Sequence, residues 1–123
     1  PHMRISSSKY TIIKNNYLDL SGYAVYISDL LRYWYESGAV MQAWILDNVF
    51  TARSGSIWIS STRGSNANKQ HQNITIENNK FALQKDAAIK ATNVCNLIIR
   101  NNIYGYFPQT NHRPISKVPP LIK

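Results

Sequence analysis

Six carboxylates make up the acidic complement of the chain: Asp19, Asp29, Glu36, Asp47, Glu77 and Asp86. Hydrolysis by paired carboxylates needs two of them about 5–9.5 Å apart, the value depending on mechanism. Asp29 and Glu36 bracket Leu30-Leu31-Arg32-Tyr33-Trp34-Tyr35 and are the candidates for such a pair, with Glu36 the more suited to contacting or supporting a substrate. Three successive aromatics beside an arginine and two acids suit a sugar ring, whose C–H faces stack while its hydroxyls take hydrogen bonds. Arg32, Trp34, Tyr35 and Glu36 are therefore candidate substrate contacts; the alternative is that Trp34 and Tyr35 fold down as a lid. A second polar stretch, Arg63-Gly64-Ser65-Asn66-Ala67-Asn68-Lys69-Gln70-His71-Gln72, has the composition of a solvated loop and adds Arg63 and His71 as candidates.

Other chemistries find less support. His71 and His112 stand apart, no Cys/His spacing fits zinc, and the acids do not follow a calcium-loop pattern, so no metal and no cofactor is expected. The lone Cys95 allows no internal disulfide; lying just before a strand pattern, it is expected at an inward or corner position. The net charge of +8 would suit a polyanion. Yet Lys9, Lys14, Lys80, Lys85, Lys90 and Arg100 alternate with apolar residues along separate segments, as a solvated face does. No nucleic-acid motif and no membrane-spanning apolar run appears.

The residues that must position these groups repeat. Ile74-Thr75-Ile76-Glu77-Asn78-Asn79-Lys80-Phe81 returns as Leu97-Ile98-Ile99-Arg100-Asn101-Asn102-Ile103-Tyr104. It is present upstream as Thr11-Ile12-Ile13-Lys14-Asn15-Asn16-Tyr17-Leu18 and, with drift, as Ala43-Trp44-Ile45-Leu46-Asp47-Asn48-Val49-Phe50. Ile13, Ile45, Ile76 and Ile99 hold the third place; Asn16, Asn48, Asn79 and Asn102 hold the sixth. Period-two alternation opening each copy predicts a strand with one buried face. Asn-Asn or Asp-Asn then predicts a sharp bend, because asparagine tolerates left-handed backbone angles. A second alternation follows at Val25-Tyr26-Ile27, Ile57-Trp58-Ile59 and Ile89-Lys90-Ala91, so each repeat is expected to hold two or more short strands separated by corners. One such unit cannot bury its apolar face alone; a stack can.

This unit resembles the right-handed parallel β-helix of pectate-lyase-like proteins, in which an inward asparagine recurs at one corner and forms a ladder. The expected fold is all-β, a right-handed parallel β-helix solenoid of about four coils. A run of hairpins is the alternative, but the Asn-Gly and Asp-Gly turns that hairpins favour are missing. Residues 1–3 have the look of a cloning scar, residues 4–111 hold the coils, and residues 112–123 form a basic, proline-rich tail. The first coil is as regular as the third, which suggests a piece of a longer solenoid whose exposed first coil would pair with a second copy. Ladder spacing locates the insertions. Asn79 to Asn102 is 23 residues, whereas the two earlier intervals are 32 and 31. The excess falls after the second alternation of each coil, in Asp29–Gln42 and Ser61–Gln72, and insertions stacked at one corner commonly make a binding side.

Trp34-Tyr35-Glu36-Ser37-Gly38-Ala39-Val40, followed by a strand and Asp47-Asn48-Val49-Phe50, resembles the late β-helix region of glycoside hydrolase family 110. Asn73 to Phe81 also fits that region. The resemblance implies an exo-acting α-galactosidase on α-1,3-linked galactose, inverting, metal-free and using paired acids. It also implies that the acids lie in upstream coils, so that this chain alone would be inactive. A secreted or periplasmic parent and a galactose-containing glycan as partner follow as expectations. A noncatalytic glycan-binding β-helix and a purely structural or assembly β-helix are the competing readings.

Overall fold

Every strand of the computed structural model pairs parallel to its neighbours. It describes residues 3–6, 8–20, 22–28, 39–52, 55–61, 71–83 and 87–105. Twelve strands run in chain order: β1 Met3–Ile5, β2 Thr11–Lys14, β3 Tyr17–Leu20, β4 Val25–Ser28, β5 Ala43–Leu46, β6 Val49–Ala52, β7 Ile57–Ser60, β8 His71–Glu77, β9 Lys80–Leu83, β10 Ile89–Ala91, β11 Val94–Arg100 and β12 Ile103–Gly105. They form three four-stranded sheets ordered β1-β4-β7-β10, β2-β5-β8-β11 and β3-β6-β9-β12, called here the first, second and third sheets. Each full turn of chain contributes one strand to each, so the fold is a parallel β-helix of about four coils. The described residues contain no helix.

The in-register pairing follows from the repeat. Ile13, Ile45, Ile76 and Ile99 stand above one another in the second sheet. Leu18, Phe50, Phe81 and Tyr104 do so in the third, and Met3, Val25, Ile57 and Ile89 in the first. All three columns face one interior, where Ile27, Ile45, Ile57, Ile59, Ile74, Ile76 and Ile89 are fully buried. Each such side chain contributes about 1.5–3 kcal/mol. Phe50, Phe81 and Tyr104 stack nearly parallel, with centroids 5.0 and 5.3 Å apart.

The bend between the second and third sheets is made as the sequence predicts. Asn15, Asp47, Asn78 and Asn101 take left-handed angles, φ 60°, 56°, 58° and 55°. The next residue in each coil then turns inward. Asn79 Oδ1 accepts from Asn48 N–H at 2.9 Å and from Asn48 Nδ2 at 3.0 Å. Its Nδ2 donates to the Ile45 carbonyl at 2.9 Å and to Asn102 Oδ1 at 3.1 Å. Asn48 repeats this arrangement one coil earlier, donating to the Ile13 carbonyl at 3.0 Å, and accepts from Asn16. The two interior amides, Asn48 and Asn79, thus satisfy both polar atoms inside the stack, which removes the desolvation cost of burying them. At the remaining bend, Gly55 lies so close to the Ala87 carbonyl and the Tyr23 ring that a Cβ there would sit 2.7 Å from each.

Each coil carries three strands, within the two or more expected of the repeat, because the residues after the ladder asparagine continue the alternation. Three details depart from the sequence expectation. Met3, set apart with the first two residues, pairs with Val25 in β1, and β1 covers Val25 and Ile27, which are fully buried instead of lying open at the first coil. The second insertion ends sooner than expected, since His71 and Gln72 already belong to β8. Cys95 lies within β11 and is exposed, because β11 begins at Val94, half-buried, and the next residue faces outward.

Candidate functional site

Both insertions leave and re-enter the stack between the first and second sheets. One departs after β4 and returns at Ala39; the other departs after β7 and returns at β8. Residues 29–38 and 62–70, and with them Asp29, Arg32, Trp34, Tyr35, Glu36 and Arg63, lie outside the described residues.

The roots of the insertions are adjacent and tied together. Main-chain bonds climb the corner from coil to coil, Met41 N–H to the Ser8 carbonyl and Gln72 N–H to the Val40 carbonyl, each at 2.8 Å. His71 is fully buried between them. Its Nδ1 accepts from Val40 N–H at 3.0 Å, so that nitrogen carries no proton. Nε2 therefore holds the proton and donates it to the Ser60 carbonyl at 2.8 Å. One neutral imidazole thus joins the last strand residue before the second insertion to the returning end of the first.

Beside this clasp, Lys9, Tyr10, Met41, Gln42 and Asn73 line an open cleft of about 300 Å³. Tyr10 is 72% exposed, and its ring lies within 7° of parallel to that of Trp44, centroids 6.4 Å apart. Asn73 has φ 54° within β8, which kinks the strand and fixes the amide: Nδ2 donates to the Met41 carbonyl at 3.3 Å and Oδ1 accepts from Asn96 at 2.7 Å. The sequence reading had not singled out these residues. Aligning the copies on the ladder asparagine would have found them, since Tyr10, Gln42, Asn73 and Asn96 then occupy one repeat position.

Another aromatic row lies on the outer face of the first sheet, where Arg4, Tyr26, Trp58 and Lys90 are in register. Tyr26 stacks on Trp58 at 4.7 Å, and Lys90 Nζ lies 5.5 Å from the Trp58 centroid. Their strands flank β7 on opposite sides, so both faces of the indole are covered.

The described acids are already engaged or set apart. Asp19 accepts from Thr51 Oγ1 at 2.7 Å, Glu77 pairs with Arg100, and Asp47 occupies an exposed bend. Among the described residues no group of three or more His, Cys, Asp or Glu side chains could hold a metal ion, and no helix is long and apolar enough to cross a membrane.

No known protein-family signature matches the chain. It is similar to an alpha-1,3-galactosidase A of Peterkaempfera griseoplana, 35% identical over 100 residues, covering 78% of this chain and 14% of the relative. It is also similar to an alpha-1,3-galactosidase A of Streptomyces avermitilis, 29% identical over 114 residues, 89% of this chain and 18% of the relative. The chain thus spans less than one fifth of the length of these curated relatives.

Proposed function

We propose that this chain is a β-helix portion of a galactosidase-related glycoside hydrolase, exported from the cell, whose substrate is a glycan ending in α-linked galactose. The observation that carries the reading is the similarity to alpha-1,3-galactosidase A along 78% of the chain. The paired roots of the two insertions support it, because both insertions join the stack at one corner. Arg32, Trp34, Tyr35, Glu36 and Arg63 are the proposed sugar contacts, with Trp34 and Tyr35 stacking on the ring and the charged groups bonding its hydroxyls. His71 ties together the roots from which those residues extend. Asp29 and Glu36 assist binding, and the catalytic acids belong to other coils of the parent.

Hydrolysis of an aryl α-galactoside and of α-1,3-galactobiose, assayed with the parent protein and with this chain, tests the proposal. Turnover by the parent alone is expected. Folded parent without turnover of either substrate overturns the enzyme, and turnover by this chain overturns the assignment of the acids elsewhere. The edge strands β2 and β3 have no further strand beside them among the described residues, and pairing of copies through that edge belongs to the same proposal. A one-chain mass by light scattering at all concentrations would refute it.

A further inference from the structure

We infer that the cleft between Lys9 and Asn73 binds one anionic sugar unit, its carboxylate or sulfate on Lys9 and its ring against Tyr10. The inference rests on the carbohydrate reading for its ligand class, but not on catalysis. At about 300 Å³ the cleft stands at the lower limit of ligand pockets, about 300–1,000 Å³, which suits one ring rather than a long oligomer. Its walls divide by chemistry. Tyr10 and Met41 are 72% and 45% exposed and offer an aromatic face and a pliable thioether to C–H groups. Gln42 and Asn73 offer amides. The two bonds that Asn73 makes within the stack hold its amide still and leave one N–H and one lone pair for a hydroxyl.

Charge selects among sugars. Among the described residues, Lys9 is the one ionisable cation of the lining, no carboxylate lines the cleft, and Lys9 makes no ion pair. The chain as a whole carries +8, so an anion meets an attractive field on approach. A neutral sugar would leave that ammonium facing solvent, with no gain over bulk water.

The test is a set of titrations of this chain, followed by calorimetry. The probes are an oligogalacturonide, a sulfated galactan oligosaccharide, a neutral galactan oligosaccharide of equal length, and inorganic sulfate. At least one anionic oligosaccharide is expected to bind about fivefold tighter than the neutral one, as a partly exposed charge pair allows, and to lose that margin in high salt. Lys9→Gln is expected to abolish the margin while leaving thermal unfolding unchanged. Tyr10→Ala is expected to weaken every sugar by about fivefold. Equal binding of neutral and anionic sugars, an unchanged margin in Lys9→Gln, inorganic sulfate binding as tightly as the sulfated sugar, or no binding at all overturns the inference. None of these outcomes bears on whether the parent turns over an α-galactoside, so the two readings fail separately.

Discussion

Between the second and third sheets, each coil puts an asparagine in the same place and joins it to the asparagine of the next. Between the first and second sheets, the corresponding places hold Ser8, Val40, His71 and Val94, whose side chains differ while the main-chain bonds to the Ser8 and Val40 carbonyls repeat. The first corner is made of amides that satisfy one another, so every coil is equivalent and the stack has a fixed register. The second corner is joined by main-chain bonds that any residue can make, and so can tolerate insertions of unequal length. The difference teaches where variation is affordable in this solenoid: at the bend whose hydrogen bonds do not run through a shared side chain.

Substitutions probe that contrast. Phe81→Ala opens the aromatic column behind the ladder and should cost about 3–5 kcal/mol in denaturant unfolding. A loss under 1 kcal/mol would mean that the column is not a shared core. Asn79→Ala removes the acceptor of two Asn48 donors and the side-chain donor to the Ile45 carbonyl, and should cost about 2–3 kcal/mol with cooperative loss of all coils. His71→Ala frees Val40 N–H and the Ser60 carbonyl. About 1–2 kcal/mol is expected, with faster amide exchange confined to residues 39–42 and 60–61. If exchange instead rises along the whole ladder, the two corners are not independent.

The smallest effect concerns Tyr104. Burial raises its phenol above the ordinary value of 10.0, while its bond with Asn102 works the other way. With the folded value raised, the folded chain keeps its proton where the unfolded chain has lost it. The contribution is therefore fully present below pH 10 and falls away as pH rises above it. Tyr104→Phe should flatten the alkaline limb of the stability profile; an unaltered limb would show that Tyr104 is as wet when folded as when unfolded.

The repeat made the ladder corner legible in advance. Ile76 and Asn79 recur with fixed spacing, and a fixed spacing is a stacking register. The third strand was harder, because β3, β6, β9 and β12 present Tyr17, Val49, Lys80 and Ile103 to the outside and share no outward signature. The cleft was harder still. Lys9, Met41 and Asn73 are distant in sequence and meet only through the register of successive coils, so no local motif marks them. Arg32, Trp34, Tyr35 and Glu36, by contrast, cluster within one stretch of chain and are visible from sequence.

The direction of the ladder bonds has a consequence for assembly. Within the ladder, Asn16, Asn48 and Asn79 donate to the Oδ1 of the asparagine that follows, while the Nδ2 of Asn48, Asn79 and Asn102 also donates back to a carbonyl of the preceding coil; the Asn-to-Asn bonds thus run in one direction only. Asn16 therefore presents an acceptor at one end, while the N–H of Asn102 faces the other. Every strand is parallel as well. Two copies meeting by a dyad would set acceptor against acceptor and pair their strands antiparallel, so the ladder could not continue. Only a translation with rotation along the stack axis preserves both, and that operation is heterologous and does not close. A coil that continues the ladder is thus admitted in one sense only, as a monomer joins the growing end of a polar filament, whereas copies paired edge to edge would interrupt it.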